Sequence, residues 1–227
     1  MNKVLCVVTS HGIKGSTGEQ TGFWLSELTH PLEKMHNAGI ETELASIKGG
    51  TPPIDKNSMD LSDEVNAKYW SDEEFQEQYK NTVKLSDVNY KDYDGIFFAG
   101  GHGAMWDFPD SEAVNRISSA IYENGGFVAA VCHGPAALVN IKLSDGSYLV
   151  SGKKVTGFTD DEEREIKFEE YVPFLLETEL RKRGGIFQAK TNWTTNVVSD
   201  KRLITGQNPG SAAEVGEAII KLMKTNV

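Results

Sequence analysis

A cysteine followed directly by a histidine stands at Cys132-His133, between the small apolar run Phe127 to Val131 and the segment Gly134-Pro135-Ala136-Ala137-Leu138. The first run reads as a buried strand and the second as the start of a helix, with Pro135 in the first turn, where no N–H is needed. A nucleophile on such a strand-to-helix turn is aimed into the crevice above the sheet. The free N–H groups of a helix tip would favour a thiolate over a thiol and lower the cysteine pKa. Ala129, Ala130 and Gly134 are small enough for so tight a turn. The other cysteine, Cys6, lies inside an apolar strand pattern and reads as a core residue.

A cysteine nucleophile needs a base, and the base needs an acceptor on its other ring nitrogen. The five histidines are His11, His30, His36, His102 and His133, and after Cys132 only its immediate neighbour remains. A papain-like or glutaminase-like order, which takes its histidine from far downstream, is therefore excluded, and His133 is the candidate base. The acidic cluster in Gly157-Phe158-Thr159-Asp160-Asp161-Glu162-Glu163 offers the orienting carboxylate. Spacing does not choose among Asp160, Glu162 and Glu163. A glycine-rich turn, Gly100-Gly101-His102-Gly103, follows another strand end, so its backbone N–H groups could hold a developing oxyanion together with that of His133. The turn lacks the Lys-Ser/Thr of a P-loop and the spaced glycines of a dinucleotide fingerprint, which disfavours phosphate binding.

The elements that must position these groups alternate in type. Lys3 to Thr9 is β-rich, Thr21 to Ala38 carries Phe23, Leu28, Leu32 and Met35 at helical spacing before Gly39, and Ile40 to Ile47 is again strand-like. Gly49 to Tyr93 breaks the rhythm and reads as an insertion with one or two helices, one capped by Ser71-x-x-Glu74. A buried central strand follows over Asp94 to Ala99, then a helix over Ser111 to Asn124. Tyr148 to Phe158 is β-like, about Asp161 to Arg183 is helix-like, Val197 to Thr205 is strand material, and Ser211-x-x-Glu214 opens a C-terminal helix. The sum is one α/β domain over 1–227, a three-layer α/β/α sandwich around a mainly parallel sheet.

Composition narrows the function classes. Hydrophobic residues make up 39% and charged residues 25% of 227, a mixture that folds. The net charge of −10, with no basic cluster against it, repels phosphate backbones and anionic lipid, so neither nucleic acid nor a membrane is an expected partner. The run Val4 to Val8 is too short for a signal-peptide core, and no stretch approaches the roughly 20 apolar residues of a membrane span. Two cysteines suit a reducing, cytoplasmic setting.

Taken together, Ala130-Val131-Cys132-His133-Gly134-Pro135, Ala99-Gly100-Gly101-His102-Gly103 and Gly157-Phe158-Thr159-Asp160 resemble the superfamily of PfpI-type proteases and the Parkinson-associated deglycase, and most of all its heat-shock chaperone and glyoxalase III branch. The similarity runs nearly end to end, through Glu27-Leu28-Thr29-His30-Pro31 and Thr205-Gly206-Gln207-Asn208-Pro209-Gly210. The resemblance implies a flavodoxin-like, glutamine-amidotransferase-like fold and a triad of Cys132, His133 and Glu163. It also implies that Glu27 sits beside the sulfur as a protonated acid, which periodicity alone does not show. It further implies a homodimer that converts methylglyoxal or glyoxal to D-lactate or glycolate through a Cys132 hemithioacetal. No cofactor or metal is expected, since an aldehyde is already electrophilic. Deglycation of glycated proteins is a close variant. Competing readings are a stress holdase for unfolded proteins, a redox sensor at Cys132, and a PfpI-type peptidase or amidase.

Overall fold

The computed structural model describes residues 2–225. Strand β1 (Lys3–Val8) leads through a loop to helix α1 (Leu25–Asn37), and β2 (Glu41–Ser46) returns parallel to β1. Helices α2 (Glu64–Ser71) and α3 (Glu73–Lys80) follow, then the two-residue β3 (Val83–Lys84) and the central β4 (Gly95–Phe98). A single turn α4 (Ala104–Asp107) and the long α5 (Glu112–Glu123) lead to β5 (Phe127–Val131). The remainder comprises β6 (Lys154–Val155), α6 (Asp160–Glu165), α7 (Leu176–Lys182), β7 (Ile186–Phe187), β8 (Val197–Asp200), β9 (Leu203–Gly206) and α8 (Ala212–Thr225).

Seven strands form one sheet in the order β3-β2-β1-β4-β5-β9-β8, parallel throughout except for β8, which makes an antiparallel hairpin with β9. Every residue of β4 and β5 is buried, as expected for strands covered on both faces by helices. The chain order reverses between β1 and β4, so a crevice opens at their carboxyl ends. The turn after β5 and the glycine-rich turn after β4 both face it.

Several expected elements differ from the structure, each for a local reason. Helix α1 begins at Leu25 and not at Thr21, because Phe23 is held extended: its N–H donates to Pro53 O and its carbonyl accepts from Asp55 N–H. The cap of α3 is Asp72, whose side chain accepts from Phe75 N–H, while Ser71 closes α2. The insertion contributes β3 to the edge of the main sheet. The apolar spacing over 161–183 spans two helices, since Lys167 takes a left-handed φ of 58° and Pro173 cannot continue a helix. The β-like stretch 148–158 reduces to β6, which pairs only with β7. Ser211 accepts from Asn196 N–H and donates to Asn208, and so ties the loop before α8 to its neighbours.

Candidate active site

The segment after Cys132 is a five-residue 3₁₀ turn, Gly134–Leu138, and not an α-helix, so the dipole expected to ionise the sulfur is much reduced. Cys132 itself has φ 60°, the strained left-handed geometry of a nucleophile elbow. Its N–H donates to Gly206 O and its carbonyl accepts from Phe158 N–H, which pins the elbow between β9 and the segment before α6. A Cβ on Gly134 would lie 2.4 Å from Phe98 O, so only glycine lets the turn pass this close to β4.

Around the sulfur the groups are buried. Cys132 is 3% exposed, His133 2% and Glu27 0%. His133 Nδ1 lies 3.5 Å from Sγ. Its Nε2 is 2.7 Å from Glu163 Oε2, while Oε1 of the same carboxylate is 2.8 Å from His102 Nε2. Burial alone would raise Glu163; the His133 charge and the hydrogen bonds from His102 and His133 outweigh it and hold the carboxyl at about 2. As an ionised acceptor Glu163 fixes the proton of His133 on Nε2, leaving Nδ1 to accept from the thiol.

The three candidate acids separate cleanly. Glu162 belongs to a capping box with Thr159: its Oε2 accepts from Thr159 N–H and Oγ1, and its Oε1 from Trp193 N–H, Gln207 and Asn208. Asp160 faces away and accepts from Thr178 Oγ1. Glu163, one residue beyond the box, turns into the crevice. Replacing Glu162 with alanine strands several buried donors and should lower stability by about 2–4 kcal/mol, read as a fall in the urea midpoint.

Glu27 enters from the first turn of α1. Neither of its oxygens meets a hydrogen bond of normal geometry, although Cys132 and the Gly100 N–H act on it as donors. Burial pushes its carboxyl up to about 8. Burial, and then the charge of Glu27, raise the Cys132 thiol well above its ordinary value, against which the His133 N–H works. In place of the expected helix tip a short 3₁₀ turn follows the cysteine, and burial favours the protonated forms of both Glu27 and Cys132. A Cβ at Gly100 would sit 2.3 Å from Glu27 Oε2, so the close approach of the turn after β4 to this acid requires glycine.

The glycine-rich turn is placed as expected but used differently. The His102 imidazole points at Glu163, Gly100 N–H serves Glu27, and Gly101, with φ 99°, packs on the backbone of Gly22 to Trp24. Two supporting acids were not visible in the sequence. Asp107 accepts from Thr9 Oγ1 and Ser10 N–H at 2.7 Å each and fixes the end of β1, and the buried Asp55 accepts from Thr21 and opposes ionisation of Glu27. His102, His133 and Glu163 bring three ligand-type atoms within 4.8 Å of one another, but a metal there would have to displace both imidazole protons from the carboxylate. A cavity of about 880 Å³ beside β2 and α3 holds none of these groups.

The model of the DJ-1/PfpI family matches residues 20–222. The chain belongs to the DJ-1/PfpI family. Within this family it is 33% identical to Glyoxalase 3 of Candida albicans, over all of both chains, and 32% identical to the glutathione-independent glyoxalase HSP31 of Saccharomyces cerevisiae, over 98% of each. Among solved structures, the Rapid Encystment Protein of 24 kDa from Francisella tularensis superposes with a TM-score of 0.95 at 42% identity, covering 98% of this chain and 99% of that one. Glyoxalase III from Candida albicans gives 0.88 at 33% identity, covering 97% and 96%. Among the described residues, no helix is long and apolar enough to cross a membrane.

Proposed function

We propose that this DJ-1/PfpI protein is a glutathione-independent glyoxalase acting on methylglyoxal and glyoxal, with Cys132 as nucleophile, His133 as its base and Glu163 as the orienting acid. The observation that carries the reading is the fully buried Glu27 carboxyl beside the Cys132 sulfur, where burial favours its protonated form. A peptidase needs only the nucleophile and its base, whereas moving a proton between adjacent carbons needs a second acid–base group at the reacting atoms. The full-length likeness to proteins named glyoxalases supports the same reaction.

The step sequence balances without a redox partner. His133 Nδ1 takes the thiol proton as Sγ bonds to the aldehyde carbon, and Glu27 gives its proton to the resulting oxyanion. The backbone N–H of His133 stabilises the oxygen as its negative charge develops. Glu27, now ionised, removes the aldehyde-derived C–H proton while protonated His133 gives its proton to the neighbouring carbonyl oxygen, which makes an enediol; Glu27 then returns its proton to the second carbon as His133 takes the first hydroxyl proton, leaving a lactoyl thioester. The first carbon is oxidised and the second reduced by the same pair of proton transfers. Water cleaves the C–S bond, releasing lactate and the free thiol.

Cys132 is only 3% exposed, which favours a small dicarbonyl over an adduct on the surface of a folded protein. A nucleophilic thiol also needs a reducing compartment, consistent with a cytoplasmic enzyme. The test is incubation with methylglyoxal in the absence of glutathione, followed by chiral separation of the product. D-Lactate in proportion to enzyme is expected; consumption without lactate would overturn the reaction.

A further inference from the structure

We propose that His102 is a positioning residue of the reactive centre: by holding the second oxygen of Glu163 it sets how readily His133 takes the proton of Cys132. The proposal deepens the glyoxalase reading and rests on it for the reaction served. The geometry is a carboxylate bridged by two imidazoles, His102 Nε2 on Oε1 at 2.8 Å and His133 Nε2 on Oε2 at 2.7 Å, with ring centroids 4.1 Å apart. One carboxylate balances one imidazolium. When His133 is protonated by the sulfur, its neighbour must therefore stay neutral, and burial together with the His133 charge holds the His102 pKa down.

A neutral donor on Oε1 does two things. It stops the carboxylate rotating away from His133, and it draws charge from the oxygen pair, so that the imidazolium is held less firmly than by an undivided carboxylate. A base held too firmly in its protonated form cannot receive the thiol proton. The other charged or titratable groups facing this cluster are Lys14, from the loop after β1, Cys132 on its turn, Glu27 from α1, and Glu162 from α6. Lys14 Nζ lies over the Phe168 ring, which packs on His102 at 4.8 Å, and Phe158 packs on His133 at 4.2 Å. None of these groups supplies Oε1 with another donor.

Glutamine at 102 can present an amide N–H at about the reach of Nε2; asparagine is too short, and leucine has no donor. The measurements are the pH profile of kcat/KM for methylglyoxal and the pH profile of Cys132 alkylation by iodoacetamide. Cys6, fully buried in β1, serves as the unreactive control. His102→Leu and His102→Asn should move the acidic limb of both profiles to higher pH by about half to one unit and lower turnover near neutrality by about tenfold. His102→Gln should keep both profiles close to those of the wild type. Glutamine and asparagine variants with the same profile would overturn the proposal, and this comparison stands even if the leucine variant fails to fold. A shift in alkylation that depends on residue 102, in a protein that makes no lactate, would uphold the positioning role and sink the glyoxalase reading instead.

Discussion

Cys132→Ala should abolish lactate formation from methylglyoxal, by at least about a thousandfold, while leaving the thermal midpoint within a few degrees of the wild type. The large effect follows from covalent chemistry: without the sulfur no hemithioacetal forms, and Glu27 and His133 have no bound carbon between which to move a proton. The small structural effect follows from the site. The cysteine is buried on a turn whose backbone is held by Gly206 and Phe158, contacts that alanine retains, and the left-handed φ is equally strained for both residues. The same variant separates the competing readings. A holdase that uses apolar surface should protect a denaturing client as well as the wild type does, so loss of lactate with retained protection would divide the two activities. Retained lactate formation would remove Cys132 from the mechanism altogether.

The backbone of this prediction was legible in the sequence because its signals are local. The apolar runs of β4 and β5, the helical pattern of α5 and the strand–Cys-His–Gly-Pro junction need only neighbouring residues to be recognised. What escaped depends on long-range placement. Within 161–183 the chain breaks between α6 and α7 at Lys167, whose left-handed φ no local pattern announces, and the Phe168 that follows packs on His102, a residue far away in the chain. The second partner of Glu163 was hidden for the same reason. A register argument would have found it: Phe98 pairs with Ala130, so His102 and His133 lie at similar heights beyond adjacent strand ends. Glu27 became visible only through family resemblance, since a glutamate in the first turn of a helix is ordinarily solvated and favoured by the dipole. Here α1 begins late, pinned through Phe23, and the glutamate turns inward under Gly100.

That inward turn has a thermodynamic signature, and Glu27→Gln should expose it. The folded carboxyl is held near 8 by burial, against an ordinary value of 4.5, so the native state keeps a proton that the unfolded chain has released. Its contribution to stability is therefore full below about pH 4.5, declines as pH rises, and is gone once pH passes 8. Glutamine carries no such charge. Its stability relative to the wild type should rise between pH 5 and pH 8 by a few kcal/mol and then level off, measured as urea midpoints across that range. The Cys132 thiol, raised by the same burial, affects both proteins only above the ordinary thiol range. Activity should move the opposite way, falling by about a hundredfold or more, because the amide can hydrogen-bond the hemithioacetal oxygen but cannot carry a proton to the second carbon. A variant that loses activity without gaining alkaline stability would mean that Glu27 is charged in the native state, and the shuttle would have to be sought in another group. A variant that gains stability and keeps turnover would leave Glu27 as a buried acid without a catalytic task. Gained stability together with lost turnover would show that stability and catalysis make opposing demands on this one side chain, with glutamate the less stable choice kept for the proton transfer.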